Sequence, residues 1–326
     1  IVETVKGPGE LKWKISDGVL YGKLGRAFVR ITGFLYAMVL VWSPFVSFLL
    51  ILRGLNGDRI SAVLATLNIA SLFIPWRVNF WTAYAGNPVH KAWRRGFRFL
   101  TYLEAPINHD KPHVFAEHPH GLFPVGPYLC ASLLAYENSM DLLGGRVICT
   151  GGVSIIDWAP IWRFLYGWVG VVSASFECLK KTVEVEKKSV CLFPGGVAEM
   201  LMDLRESEHI YLKKRKGFCR LALVTGAPLV PVYHFGSSQV LRQLHFRWLA
   251  RLSRMLKTSF FFMIPWVFNQ QIIQVIGKPI PVEKIPNPTA ADVNELHAKY
   301  MTEIQRIFES YKTLLPGWEK RQLIIH

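Results

Sequence analysis

From residue 113 onwards, short runs of β-forming residues alternate with helix-length segments, and this alternation constrains the fold more than any other feature. The runs lie near residues 113–117, 146–151, 169–174, 189–193, 229–234 and 272–276, and an amphipathic helix is predicted over 290–313. Strands that alternate with helices indicate βαβ units. The sequence therefore predicts an α/β fold with a mostly parallel sheet.

Polar motifs follow two of these runs at the point where each strand is expected to end. Residues 117–121 read Glu-His-Pro-His-Gly, and residues 193–199 read Phe-Pro-Gly-Gly-Val-Ala-Glu. The carboxyl ends of parallel strands meet at one edge of an open α/β sheet, which is where ligands bind. A histidine at that edge can take a proton from a hydroxyl near neutral pH. The two motifs therefore predict an acid–base site.

Two long uncharged segments precede the alternating region. Residues 31–52 and 60–76 contain no charged residue and are separated by a short polar turn. Because a helix of about 20 apolar residues crosses a bilayer core, they predict a transmembrane helical hairpin over 27–76, after an N-terminal lead over 1–26. Basic residues flank the hairpin on both sides, which places the remaining domain, 77–326, in the cytosol. A buried helical pair of a soluble core is the alternative.

The composition favours a membrane over nucleic acid as the partner of a basic surface. The chain has a net charge of +15, and 51% of its residues are apolar against 19% charged. Anionic headgroups and nucleic acid both attract basic residues, but no nucleic-acid-binding motif is present. Residues 90–103 predict an interfacial helix with a basic and an aromatic face, and residues 240–268 a second membrane-contacting or acyl-lining insertion. Ordinary surface or core helices are the alternatives.

Together with three further segments, the two motifs resemble the type 2 diacylglycerol acyltransferase family, which includes monoacylglycerol and wax-alcohol acyltransferases. The further segments are 215–222, 229–236 and 275–280, and all five occur in the family's order. The resemblance extends from the first apolar segment to the C-terminus. It implies the transfer of an acyl group from acyl-CoA to an acylglycerol or a long-chain alcohol.

The resemblance also implies catalytic roles. It places the catalytic histidine second in the His-Pro-His-Gly motif, which makes His120 the expected general base for the acceptor hydroxyl. His118 is then expected to shape the pocket or to contact substrate. Glu199 is the predicted partner that orients the His120 imidazole, with Glu117 as the alternative.

Backbone donors and basic residues are expected to bind the acyl-CoA. Acyl transfer needs donors for the oxyanion of the tetrahedral intermediate, and glycines at 195 and 196 allow a close approach of N–H groups. The basic run 213–217 is predicted to bind the phosphates of CoA, chiefly through Arg215; a solvated helix start is the alternative. The predicted substrate-binding residues are Glu117, Pro119, Gly121, Pro194, Gly195, Gly196, Arg215, Lys216, Gly217 and Phe218.

Other chemistries have weaker support in the sequence. A His-x-His pair can bind zinc, but no patterned third ligand accompanies this one, so no metal is predicted. A serine hydrolase would need a G-x-S-x-G motif, and residues 152–156 lack the second glycine. A membrane-anchored lipid-transfer or scaffold protein would explain the hairpin but not the histidine and carboxylate motifs.

The expected enzyme is an acyl-CoA:diacylglycerol O-acyltransferase of neutral-lipid synthesis, with monoacylglycerol or a fatty alcohol as alternative acceptors. Acyl-CoA is the expected co-substrate, and no cofactor is predicted. The expected location is the endoplasmic reticulum membrane, extending to lipid droplets, with the catalytic domain facing the cytosol. A homo-oligomer is left open.

Overall fold

A mixed β-sheet lies at the centre of the protein. The computed structural model describes residues 2–4, 13–16, 22–73, 81–108, 110–120, 149–152, 160–200, 207–239, 242–244, 262–264 and 271–326. The strands are β1 (Val2–Thr4), β2 (Trp13–Ser16), β3 (Leu100–Leu103), β4 (Val114–His118), β5 (Cys149–Gly152), β6 (Val171–Ser173), β7 (Val190–Leu192), β8 (Glu208–Ile210), β9 (Leu229–Phe235), β10 (Arg242–Leu244), β11 (Phe262–Ile264), β12 (Ile273–Ile276) and β13 (Leu323–Ile325). Nine of these described strands form one sheet in the order β1-β2-β3-β12-β9-β4-β7-β5-β6.

The middle of this sheet is parallel. Strands β9, β4, β7, β5 and β6 run in one direction, and β12 joins β9 in the opposite direction. Each of the six β-rich runs expected from the sequence contains a strand of this sheet, although residues 146–148 of the second run lie outside the described residues. The predicted α/β fold with a mostly parallel sheet is therefore confirmed.

Helices cover the sheet and precede it. They are α1 (Lys23–Leu55), α2 (Arg59–Ala70), α3 (Thr82–Ala85), α4 (Pro88–Gly96), α5 (Pro160–Gly167), α6 (Phe176–Glu184), α7 (Val197–Met200), α8 (Gly217–Thr225) and α9 (Ala290–Tyr311). Single 3₁₀ turns lie at Ser71–Phe73, Ser237–Gln239 and Lys312–Leu314. The predicted C-terminal helix is confirmed as α9, which begins at a capping box between Thr289 and Asp292.

Apolar side chains are buried on both faces of the parallel strands. Helices α6, α8 and α9 pack on one face, where Val114 and Ala116 of β4 join the main core cluster. Phe115 points to the other face and joins a smaller cluster with Val230 and Val232 of β9. Burial on both faces explains why these strands are continuous apolar runs in the sequence.

The predicted N-terminal hairpin is present as a pair of helices, but its passage through a membrane is not confirmed. Helices α1 and α2 contact each other and are joined by a short turn, where Asp58 caps α2 by accepting hydrogen bonds from the N–H groups of Ile60 and Ser61. Within the described ranges, no helix combines the length and the apolarity that a membrane span requires. Residues 74–76 of the second predicted span lie outside the described residues.

The helix predicted over 90–103 is wrong in its second half. Helix α4 begins at Pro88, after Asn87 accepts hydrogen bonds from two first-turn N–H groups, and ends at Gly96. The following residues turn and form β3, which pairs with β12. The aromatic face of this helix packs inside the protein, because Trp93 and Phe97 are buried in one cluster with Val29 and Ile272.

Two further predicted segments are the N-terminal lead and the insertion over 240–268. The lead over 1–26 contributes β1 and β2, and β2 pairs with β3 at the edge of the sheet, which the sequence pattern did not indicate. Most of the insertion over 240–268 lies outside the described residues. Its described parts, β10 and β11, pair with each other as antiparallel strands.

Candidate active site

The two predicted motifs meet at the carboxyl ends of neighbouring strands. Strands β4 and β7 are adjacent and parallel, with Ala116 opposite Leu192. The His-Pro-His segment therefore leaves the sheet beside the turn that begins at Phe193. The peptide bond between His118 and Pro119 is cis. The predicted proximity of the two motifs is thus explained by the sheet register.

The Glu199 carboxylate holds this edge together. It is almost fully buried, and its Oε2 accepts a hydrogen bond from the main-chain N–H of His120 at 2.6 Å. Its Oε1 accepts from the main-chain N–H of Tyr211 at 2.9 Å and lies 3.3 Å from Nδ1 of His118. One side chain therefore joins the histidine motif to the segment that follows β8.

The glycine turn makes room for that carboxylate. A Cβ atom added to Gly195 would overlap the carboxyl group of Glu199, so only glycine fits at this position. Gly196 adopts a left-handed conformation, with φ of 54°, and its N–H donates to the Phe193 carbonyl at 3.1 Å. Because that N–H is already bonded within the turn, only the Gly195 N–H stays a predicted oxyanion donor.

The first histidine of the motif is enclosed by protein. The His118 side chain has no exposed surface, and its ring lies near the buried ring of Tyr300. A carboxylate only accepts hydrogen bonds, so Nδ1 of His118 is the donor to a Glu199 carboxylate, and in a neutral ring the lone pair is then on Nε2. That Nε2 atom is buried and has no hydrogen-bond partner among the described residues. Burial raises the pKa of the Tyr300 phenol well above its usual range, so the wall beside His118 stays neutral.

The second histidine is only partly buried. His120 follows β4 by two residues, and its ring meets the edge of the Phe193 ring at 5.5 Å between centroids. Glu199 contacts its main chain, so the predicted contact of Glu199 with the His120 imidazole stays a prediction. Of the two histidines, His120 is the one with a surface that a substrate can reach.

Glu117 points away from His118 and pairs with a different histidine. Its Oε2 lies 2.7 Å from Nε2 of His234 on β9, and both side chains are buried. Phe193 stacks on the His234 ring at 6.3 Å. Glu117 was predicted to bind substrate or to orient His120; the structure places it on the opposite face of β4, behind Phe193.

The predicted basic run leads into helix α8. Its first three side chains are exposed, and the guanidinium of Arg215 lies over the Tyr211 ring at 5.4 Å. Lys216 of this run is the N-cap of α8 and makes no side-chain capping hydrogen bond. The amino end of a helix carries partial positive charge and favours anions. Tyr211 thus connects this anion-attracting segment to Glu199.

Other predicted binding residues fall into three groups. Phe218 is buried in the core and packs edge-on against Tyr300 at 4.8 Å, so its predicted substrate contact stays a prediction. Pro119 is buried and Pro194 half-buried beside the site, while Gly217 is exposed at the start of α8. Gly121 lies outside the described residues. In the described part of the chain, no group of three or more potential metal ligands is found.

Sequence reasoning missed His234 and Tyr211. His234 is the last residue of the predicted run 229–234, so its position near the carboxyl end of β9 could have indicated a site residue. Tyr211 contributes a main-chain N–H, which any residue type supplies except proline. Residue identity therefore gives no signal for it.

Comparisons with known proteins identify the class of enzyme that this site serves. Residues 60–326 match the family model described as diacylglycerol acyltransferase. Human 2-acylglycerol O-acyltransferase 1 is 30% identical over 295 residues, covering 80% of this chain and 88% of the relative. Diacylglycerol O-acyltransferase 2 of Xenopus tropicalis is 30% identical over 281 residues, covering 76% of each chain. Human diacylglycerol O-acyltransferase 2-like protein 6 is 27% identical over 290 residues, covering 79% of this chain and 86% of the relative.

The protein is thus an acyltransferase of lipid metabolism. More closely, the chain belongs to the diacylglycerol acyltransferase family, as its motifs predicted. Acyl-CoA and an acceptor lipid are substrates consistent with that family.

Proposed function

We propose that this protein transfers a fatty acyl group from acyl-CoA to diacylglycerol and forms triacylglycerol, with His120 as the general base. The observation that carries the proposal is the Glu199 carboxylate, which gathers both motif histidines and the Tyr211 segment at one edge of the sheet. A relative named for diacylglycerol acyl transfer supports the choice of acceptor.

In the proposed reaction, His120 takes the proton of the acceptor hydroxyl as the oxygen attacks the thioester carbonyl. A C–O bond forms, and the Gly195 N–H stabilises the oxyanion of the tetrahedral intermediate. The intermediate then collapses, the C–S bond breaks, and the proton passes from His120 to the CoA sulfur. The reaction needs no acyl-enzyme.

The choice of His120 over His118 rests on exposure. A general base must reach the proton it abstracts, and His118 has no exposed surface whereas His120 is only half-buried. His118 is the second candidate, because a carboxylate at Nδ1 with a lone pair at Nε2 is the arrangement of a histidine–carboxylate base. Replacing each histidine in turn distinguishes the two.

The acceptor has a second candidate of its own. A relative of similar identity is named for acyl transfer to 2-acylglycerol, so a monoacylglycerol is the alternative acceptor. A fatty alcohol remains the third acceptor that the sequence motifs allow.

We also propose that the protein works at the endoplasmic reticulum membrane, with the catalytic domain on the cytosolic side. Helices α1 and α2 expose many large apolar side chains, among them Phe28, Trp42, Phe48, Leu55 and Ile60. Large exposed apolar surfaces mark contacts with a membrane or a partner. The lipid acceptor is itself membrane-borne, which agrees with this location.

The test is an acyl-transfer assay on the full-length chain, expressed in cells without neutral-lipid synthesis. Microsomes are incubated with radiolabelled acyl-CoA and each of the three acceptors in turn. We expect labelled triacylglycerol from diacylglycerol, in fractions that carry endoplasmic reticulum markers. Ester formation only with monoacylglycerol or fatty alcohol would reassign the acceptor. The absence of every ester product would contradict the enzymatic proposal.

Arg215 is the proposed anchor for the phosphates of CoA, and Arg215→Ala should raise the KM for acyl-CoA with little change in kcat. The reason is that this contact is shared by the ground state and the transition state. The matched control is Lys284→Ala, which also removes one exposed positive charge. The Lys284 side chain lies beside Gly226, at the carboxyl end of α8, whereas Arg215 precedes the amino end of that helix. Equal KM values for the two variants would contradict the assignment.

A further inference from the structure

A second buried histidine–carboxylate pair lies on the other face of β4. Successive side chains of a strand point to opposite faces, so Glu117 shares the face of Phe115 and not that of His118. Its Oε2 accepts a hydrogen bond from Nε2 of His234 at 2.7 Å, and the two side chains are only 6% and 1% exposed. The reaction proposed above uses neither residue.

Folding energy does not account for this pair. The same face of the sheet holds an apolar cluster that includes Phe115, Val230 and Val232. Burying an ion pair in such a place costs about as much desolvation energy as its attraction returns, and apolar residues of similar volume are often as stable. A reason other than stability is therefore needed for this pair.

A row of contacting aromatic rings connects this pair to the proposed base. The His234 ring is nearly parallel to Phe193, with centroids 6.3 Å apart and planes at 29°. Phe193 also meets His120 edge-on, with centroids 5.5 Å apart and planes at 81°. Glu117 fixes the His234 ring, His234 backs Phe193, and Phe193 contacts the His120 imidazole.

We propose that Glu117 and His234 form a positioning pair, which sets the orientation of the His120 imidazole through Phe193. This inference rests on the proposed role of His120 as base. Glu199 holds the main chain of His120, whereas rotation of the imidazole depends on what the ring touches. A misplaced catalytic group loses rate even when substrate binding is intact.

The test is a double-mutant cycle between His234→Gln and His120→Ala in the full-length enzyme. Glutamine can still donate a hydrogen bond to Glu117 but lacks the flat ring that stacks on Phe193. We expect His234→Gln to lower kcat roughly 10- to 100-fold, with the KM for acyl-CoA unchanged. In the His120→Ala background the same substitution should change kcat by less than about twofold, because the two residues act as one unit.

His113→Gln is the matched control. His113 is equally buried and stands immediately before β4, at the opposite end of the strand from His118. A loss of activity that merely follows a loss of thermal stability should appear in this variant too. If His113→Gln lowers kcat as much as His234→Gln at an equal shift in Tm, the positioning role is contradicted.

Substitutions of Glu117, the other residue of the pair, test the proposal if His234→Gln fails to fold. Glu117→Gln retains an acceptor oxygen for His234 and should lose less kcat than Glu117→Ala. Equal losses in these two variants, or additive losses in the cycle with a slow His120→Ala enzyme, would overturn the positioning pair alone. Normal turnover of His120→Ala would instead contradict the base assignment on which it rests.

Discussion

His120→Ala should lower kcat roughly 10²- to 10⁴-fold, which is the usual effect of removing a positioned acid–base group. Binding of acyl-CoA should persist, because the imidazole acts on the acceptor hydroxyl and not on the nucleotide. Thermal stability should change little, since the ring is only half-buried. Single-turnover kinetics with radiolabelled acyl-CoA, together with a thermal-unfolding scan, measure these quantities.

His118→Ala is the informative comparison. It removes a ring with no exposed surface and one of the groups around Glu199, so it should lower Tm more than His120→Ala and kcat less. The opposite result, an inactive His118→Ala enzyme and a His120→Ala enzyme of normal turnover, would assign the role of general base to His118.

Glu199→Gln should lower both activity and stability. Both carboxylate oxygens accept main-chain N–H groups, one from His120 and one from Tyr211. Glutamine has only one acceptor oxygen, and its NH₂ group would face an N–H donor. The unmatched buried donor should cost about 1–3 kcal/mol in the free energy of unfolding, and the displaced His120 should cost at least about tenfold in kcat. Denaturant unfolding and the acyl-transfer assay test both effects.

The control for that substitution is Glu295→Gln, on the exposed surface of α9, where the carboxylate pairs with Lys299. Exposed ion pairs contribute little to stability, so this variant should match the parent protein. Gly195→Ala provides a second arm, because its Cβ would displace the Glu199 carboxylate. Gly277→Ala is the control for Gly195→Ala, because its added Cβ also creates a steric overlap, but with Ile307 in the core. If Gly195→Ala kept full activity, Glu199 would not hold the base.

The sequence predicted the location of the site because two signals were local. Continuous apolar runs indicated buried parallel strands, and polar motifs followed two of them directly. Parallel register then brought Ala116 of β4 opposite Leu192 of β7 and placed the motifs side by side. The acidic residue of the second motif, Glu199, lies at both histidines, but its contact with His120 is through the main chain, so its role as partner of the imidazole stays a prediction.

The errors have physical reasons as well. Phe218 was expected at the substrate because it lies in the family-like segment 215–222, but its burial was readable too: Phe218, Leu221 and Ala222 recur at the spacing of one helix face, which is typical of a buried helix. The helix expected over 90–103 was drawn from a basic stripe and an aromatic stripe at helical spacing. Its second half forms a strand because β12 provides a hydrogen-bonding partner, which no local pattern specifies.

The shared acceptor role of Glu199 has a consequence for enzyme kinetics. Its Oε2 restrains the segment that bears His120, and its Oε1 restrains Tyr211, four residues before Arg215. The two segments are therefore mechanically joined, and a rotation of the carboxyl group displaces both at once. We therefore expect substitutions of Glu199 to change the KM for acyl-CoA and kcat together, whereas substitutions of His120 or Arg215 should change one constant more than the other.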